Sequence, residues 1–350
     1  MDSESLDAFG FEYCKKCQTR VVDKSDNPDS ILCKQCREEL IRYPIPKWIY
    51  YFAAFIAVLM IISFVCLPGS LEPYRVIEGA EKKANEGYIY STLNDLDVLA
   101  EQYQDSNRVP ILLVDIAMEH GYYDYAAYAI NTYIAGKEVS DSEYNRLESY
   151  SAVLDRYYNT YDAYDVMLSE APDASDETVA DVIAQLDALL DNPEYDPATI
   201  YYYMGYTSLD DATRCEYFEI CYQLDPTYTD AAAQAANSYR RAGNLEKARE
   251  LVESAYDEDK EAPAVLRSLA VIEMLDGNSK KGLTLAEEAY QLNRDEYYVS
   301  DTYIVALVVN GSMEEAQELK DSLEEEGYEF DDDLRKFLDG EMTLEEYYIE

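Results

Sequence analysis

Four of the seven cysteines carry the clearest chemistry in the chain: Cys14-x2-Cys17 and Cys33-x2-Cys36, separated by fifteen residues. A thiolate is a soft ligand, and each CxxC turn presents two of them from one short loop. Two such turns brought together make a tetrahedron of sulfur, and the spacing falls in the range of structural zinc sites. Iron can use the same four thiolates, and the sequence leaves that alternative open. A redox CxxC needs a thioredoxin-like βαβ setting, which about forty residues cannot supply. With sulfur at every ligand position no coordination site stays open, so the expected role of Zn2+ is structural.

The elements that must position these thiols are short. Thr19-Arg20-Val21-Val22 and Ser30-Ile31-Leu32 read as strand-like runs, with a turn at Asn27-Pro28-Asp29. Over residues 11–40 the head resembles a zinc ribbon. It departs from the common consensus in placing Lys and Gln beside the cysteines, where Gly or Pro is usual. Residues 1–10 are acidic and read as a flexible N-terminus, and 41–47 as a linker.

Residues 48–67, WIYYFAAFIAVLMIISFVCL, form an uncharged run of twenty. A helix of that length spans roughly 30 Å, the thickness of bilayer hydrocarbon. Trp48, Tyr50 and Tyr51 stand at one end, where aromatic rings favour the interface. Pro44 and Pro46 break the chain before it, and Pro68-Gly69 is expected to stop the helix. Lys15, Lys16, Arg20, Lys24, Lys34, Arg37, Arg42 and Lys47 precede the span, so the N-terminus is expected in the cytoplasm and the C-terminal domain outside the cell membrane. A cleaved signal peptide fits badly, because the apolar run is long and starts late. Cys66 reads as an ordinary apolar position.

Of 72 acidic and 28 basic residues, positions 1–69 hold nine and eight, so 63 and 20 fall in the remaining 281. That excess of negative charge argues against nucleic acid as a partner. Apolar residues and many of the 36 tyrosines nevertheless recur at helical spacing, so this part folds.

A period of 34 residues runs through its last third. Gly243, Gly277 and Gly311 mark it; Ala248, Gly282 and Ala316 follow five positions later, and Ala255, Ala289 and Leu323 repeat the step. The repeat resembles the tetratricopeptide repeat (TPR), a helical hairpin of 34 residues. The resemblance implies a mainly α fold, a solenoid of helical hairpins, with glycines in left-handed turns and small residues at 236, 270, 248, 282 and 316 where helices approach. Ile304 is the exception, and Tyr239 and Phe218 match large positions. Three regular units are expected over 229–326. Before them, 72–228 holds degenerate hairpins, among them Gly121-x4-Ala126, one over 141–170 closed by Pro172, and one over 196–224 closed by Pro226. Residues 327–350 are expected to form a polar capping helix and tail.

Candidates for catalysis are few. His120, the one histidine, stands at a helix end, where it reads as a cap. No phosphate loop, HExxH or GxSxG occurs, and Asp331-Asp332-Asp333 lacks the spacing of a calcium loop. Cys215 and Cys221 sit six apart on one helix, too far round it to pair, and read as buried. Tyrosine runs such as Tyr201-Tyr202-Tyr203 read as core and half-buried faces, because adjacent residues cannot share one helix face. The chain is therefore expected not to be an enzyme.

Solenoids of this resemblance bind through the face lined by the first helix of each hairpin. Here the lining candidates are Asn237, Arg240, Arg241, Arg267, Glu273 and Tyr303, with the arginines placed to receive a carboxylate. The expected function is a membrane-anchored interaction scaffold for a protein or peptide. A transmembrane signalling protein that couples the solenoid to a cytosolic partner through the ribbon is the alternative. A hidden glycan-active or hydrolytic enzyme is the weakest reading.

Overall fold

The computed structural model describes residues 10–41, 46–104, 106–171 and 175–349. The acidic N-terminus before Gly10, and Arg42, Pro44 and Pro172, lie outside the described residues. The chain divides into two units, Met1–Leu71 and Glu72–Glu350.

In the first unit the backbone folds around the cysteines. Tyr13 and Val21 form an antiparallel bridge. Lys15 N–H donates to the Ile31 carbonyl (3.0 Å), and Asp23 N–H to that of Leu32 (3.2 Å). Asn27 closes the expected turn by accepting from Asp29 N–H (3.0 Å). The bonds from Cys14 N–H to the Arg20 carbonyl and from Val22 N–H to that of Glu12, both 2.8 Å, flank the bridge, so the first run pairs by two bonds and the second adds one to each side. The second cysteine pair leads instead into helix α1 (Lys34–Ile41), because Arg37-Glu38-Glu39-Leu40 are all good helix formers.

Helix α2 (Lys47–Asn85) is 39 residues long and does not stop at Pro68-Gly69. Local propensity predicts a break there, at about 3 kcal/mol for Pro and 1 for Gly. Tertiary packing overrides it. Ile77, Ala80 and Ala84 of its last turns are buried in the core of the second unit, against Ile89, Leu93 and Leu96.

That core also takes in α3 (Ile89–Gln102), α4 (Arg108–Glu119) and α5 (Tyr123–Ala129), the last running into a π-helical turn at Ile130–Ile134. Next comes α6 (Asp141–Glu170), started by a Ser140–Glu143 capping box. It is one continuous helix of 30 residues, where a hairpin was expected. The stretch has no glycine or proline, so nothing in it can make a left-handed turn. Helix α7 (Asp176–Leu189) follows, then the hairpin of α8 (Pro197–Thr207) and α9 (Asp211–Leu224).

The regular repeats are three hairpins: α10 (Thr229–Arg241) with α11 (Leu245–Glu258), α12 (Pro263–Leu275) with α13 (Ser279–Leu292), and α14 (Tyr297–Val309) with α15 (Met313–Glu325). The fold is a TPR-like α-solenoid. Gly243, Gly277 and Gly311 have φ of +75°, +81° and +85°, as the turns after the first helices require. Ala236, Ala248, Ala270 and Ala316 are fully buried between helices, and Ile304 fills its position with no loss of burial. A Cβ on Gly282 would lie 2.9 Å from the Ala270 carbonyl oxygen, so helix contact itself demands a small residue there. First helices pack on first helices, α10 on α12 and α12 on α14.

The expected polar terminal helix is instead two short ones, α16 (Asp332–Leu338) and α17 (Leu344–Tyr348). They are not merely polar: Leu334, Phe337 and Tyr348 are buried in the core of the repeats. Apolar residues alternate with the acids, and each helix turns its apolar side inward.

Candidate functional site

Two places gather groups that can act. In the first unit the Sγ atoms of Cys14, Cys17, Cys33 and Cys36 all lie within 4.8 Å of one another. Cys17 and Cys33 sulfurs are 3.8 Å apart. A tetrahedron built on bonds of about 2.3 Å has edges of about 3.8 Å, so the donor set fits a four-thiolate metal ion. Cys14, Cys33 and Cys36 are buried and Cys17 is half-buried. The Thr19 hydroxyl and backbone draw the Cys17 thiol down to about 6, whereas burial pushes Cys36 up to about 12. A divalent ion at the centre would stabilise four such thiolates together. Gln18 (φ +54°) takes the left-handed position after the first knuckle and donates its N–H to the Cys14 carbonyl (2.8 Å). Gln here, rather than Gly, costs roughly 1–2 kcal/mol of backbone strain. Arg37 clamps the loop from outside by its ion pair with Asp23 (2.7 Å).

The second place is the face of the first helices. Asn237 on α10 accepts at Oδ1 from Arg267 Nη1 and from Ser268 Oγ, both at 3.3 Å. Arg267 on α12 also donates from Nε to Thr302 Oγ1 on α14 (3.1 Å) and lies over the Tyr298 ring. Three successive repeats are thereby joined through one guanidinium. Arg240 is 4% exposed, and its Nε and Nη1 have no hydrogen-bond partner among the described residues. Burial, with Arg267 nearby, draws its pKa down to about 9. The Tyr348 ring lies against it, 5.2 Å from the guanidinium carbon.

Tyr348 belongs to α17, which rests on this face. Its hydroxyl donates to Thr302 Oγ1 (3.3 Å), and that of Tyr347 to Asp301 Oδ1 (2.6 Å). Arg241 turns instead towards α9 and holds Asp211 with two bonds, Nε–Oδ2 2.8 Å and Nη2–Oδ1 2.5 Å. Glu273 and Tyr303 stand apart from this group. Glu273 is buried in the seam of α11, α12 and α13, where Arg249 (2.6 Å), Asn278 (2.8 Å) and Lys281 (3.1 Å) donate to it. Tyr303 stacks on Tyr290 of α13, ring centres 5.1 Å apart.

His120 is the C-cap residue of α4, and Cys215 and Cys221 are both buried on α9. A pattern that residue-by-residue reading missed is the pairing of tyrosine with aspartate. Tyr122 donates to Asp259 (2.6 Å), Tyr133 to Asp97 (2.8 Å), Tyr150 to Asp115 (3.1 Å) and Tyr158 to Asp124 (2.8 Å). Tyr202 (2.6 Å) and Tyr206 (3.0 Å) share Asp230. The signal was in the composition, since 28 basic residues cannot partner 72 acidic ones and 36 tyrosines offer further donors.

No family model matches the chain, and no curated protein matches it. Among solved structures it is similar to MamA of AMB-1, at 16% identity and TM-score 0.32, covering 49% of this chain and 94% of that one. It is similar also to YrrB, described as a TPR protein with an unusual peptide-binding site, at 14% identity and TM-score 0.31 (58% and 95% covered). A third is the assembly chaperone of RpL4, Acl4, at 15% identity and TM-score 0.27 (70% and 99%). Such likeness concerns the helical-repeat fold alone.

Proposed function

We propose that the chain is a membrane-anchored interaction scaffold whose first-helix face binds a protein or peptide. The observation that carries this reading is α17. A short helix lies on that face, with Tyr348 buried over Arg240 and beside Thr302 and Tyr347 bonded to Asp301. The face therefore accepts a short aromatic helix, and the unpaired guanidinium of Arg240 suits a ligand carboxylate. Asn237 and Arg267 shape the site, and Arg241 is held at its edge by Asp211. Binding, not catalysis, is the role we assign.

Anchoring rests on the window Lys47–Phe64, which has a mean hydropathy of 1.9 and nothing buried. Phe52, Phe55 and Phe64 are all more than half exposed, an apolar surface that a bilayer covers and water does not. The basic residues of the head favour a cytoplasmic N-terminus, with the repeats outside. Four thiolates with a closed shell favour zinc at Cys14, Cys17, Cys33 and Cys36, in a structural role.

The test of the face uses the chain ended before Thr343, in detergent, and a labelled peptide of residues 339–350. The shortened chain should bind the peptide, the intact chain should bind it far more weakly, and Arg240→Ala with Arg267→Ala should remove binding. No binding, or equal binding by the arginine variant, overturns the reading.

A further inference from the structure

A cavity of about 220 Å3 lies where the turn between α4 and α5 meets the loop ahead of α10. By a water's share of about 30 Å3 it has room for roughly seven waters, or for one ligand of choline's size. It is a built feature. Gly121 (φ +74°) makes the turn, and a Cβ there would sit 2.4 Å from Thr227 Oγ1, so only glycine lets the turn dock. The walls are aromatic: Tyr122 and Tyr123 from the turn, Tyr157 from α6, Tyr202 and Tyr203 from α8, and Tyr228. Rings of Tyr123 and Tyr157 have centres 5.0 Å apart, and those of Tyr202 and Tyr228 5.6 Å.

The hydrogen-bond directions decide what such a space can hold. Tyr122 donates to Asp259, Tyr123 to Asp225 and Tyr202 to Asp230. Thr227 Oγ1 donates to Asp225, and Thr199 Oγ1 to Asp196. With its proton so used, Thr199 accepts from Tyr228 at 2.5 Å. Apart from that of Tyr228, these hydroxyl protons point at carboxylates, which leaves their oxygen lone pairs and the ring surfaces for a ligand. Asp230, Asp259 and His120 line the cavity, with no lysine or arginine, so two carboxylates face a single imidazole. A cation finds ring quadrupoles and two carboxylates.

We propose that this cavity binds an alkylammonium cation, held between the tyrosine rings and by the charge of Asp230 and Asp259. It shares no residue with the α17 face and stands or falls independently of the scaffold reading. Two sources share the chemistry: a free quaternary amine, or a lysine side chain of another protein.

The test is calorimetric titration of the full-length chain in detergent with three probes. These are choline, n-butylammonium as the lysine side-chain equivalent, and 3,3-dimethylbutan-1-ol as the neutral isostere of choline. At least one cation should bind saturably, and the neutral isostere at least fivefold more weakly than choline. Tighter choline indicates a free quaternary amine, and tighter n-butylammonium a lysine side chain. Asp230→Asn should weaken the cation at least fivefold, with unchanged helical circular dichroism establishing that the variant folds. Tyr157→Leu, in the wall but outside the aspartate network, should weaken it as well. Equal binding of choline and its isostere, or no saturable heat from either cation at millimolar concentration, overturns the proposal.

Discussion

Arg249→Met should destabilise the repeats by about 1–3 kcal/mol, although Arg249 lies on a second helix, because it holds the buried carboxylate of Glu273. The Glu273 side chain is 3% exposed and accepts from Arg249, Asn278 and Lys281. Burial pushes its carboxyl up, but the bonds from Arg249, Asn278 and Lys281 outweigh burial and hold it below the ordinary range. Breaking a buried pair outright costs roughly 3–5 kcal/mol. Methionine keeps the packed stem of the arginine and leaves two of three donors in place, which brings the figure to about the cost of one charged hydrogen bond. The second bond of Arg249, to Asp276, is half exposed and adds little. A depressed carboxyl contributes stability above its unfolded pKa and loses it as pH falls through the folded value, so the penalty of the variant should shrink below about pH 4. Urea denaturation followed by far-UV circular dichroism measures it, for Arg249→Met, Glu273→Gln and the double variant. A coupling energy within about 0.3 kcal/mol of zero would refute the reasoning.

Elemental analysis should find about one zinc per chain, with chelation unfolding the head; iron, or a folded head without metal, speaks against zinc. Protease added to spheroplasts should digest residues 72–350 and spare the head, and the reverse pattern rejects the orientation. Burial lifts the Asp301 carboxyl to about 6 despite the Tyr347 hydrogen bond and the Arg267 charge. Such a group favours the folded state while protonated, an advantage full below its ordinary range and lost as pH rises through about 6. Asp301→Asn should therefore stabilise the chain at pH 7.5, by up to about 3 kcal/mol, and match the native chain near pH 4; a gap that does not change with pH sinks this.

The features legible in the sequence are those whose cause is local. Gly243, Gly277 and Gly311 could be read because a left-handed turn needs glycine whatever surrounds it. The four cysteines could be read because the spacing within each pair determines the knuckle. Pro68-Gly69 misled because the burial of Ile77, Ala80 and Ala84, which carries α2 onward, depends on helices later in the chain. The hairpin expected over 141–170 failed for a related reason: the 34-residue period invited a turn that no residue there can make. Arg240 and Glu273, both near the ends of first helices, have opposite fates. Arg249, 24 residues before Glu273, draws the glutamate into the seam, whereas nothing of the kind is offered to Arg240. Helical periodicity names a face but not the partner across it.

The tyrosine–aspartate pairs explain how so acidic a unit folds. An arginine on each inner carboxylate would satisfy it and cancel its charge. A tyrosine hydroxyl also satisfies it, through a charge-assisted bond of roughly 1.5–3 kcal/mol, while its ring fills space between helices. The carboxylate keeps its charge. Burial raises the tyrosines further, Tyr157 and Tyr125 to about 12, so the phenols stay protonated donors across the physiological range. A unit built this way remains strongly negative even where its carboxylates are hydrogen-bonded. Its outer field is screened by salt over about 8–10 Å, while the short inner bonds are screened much less. Charge that would otherwise repel the helices from one another is thus tied down locally, and the same arrangement leaves the cavity between the tyrosines selective for cations.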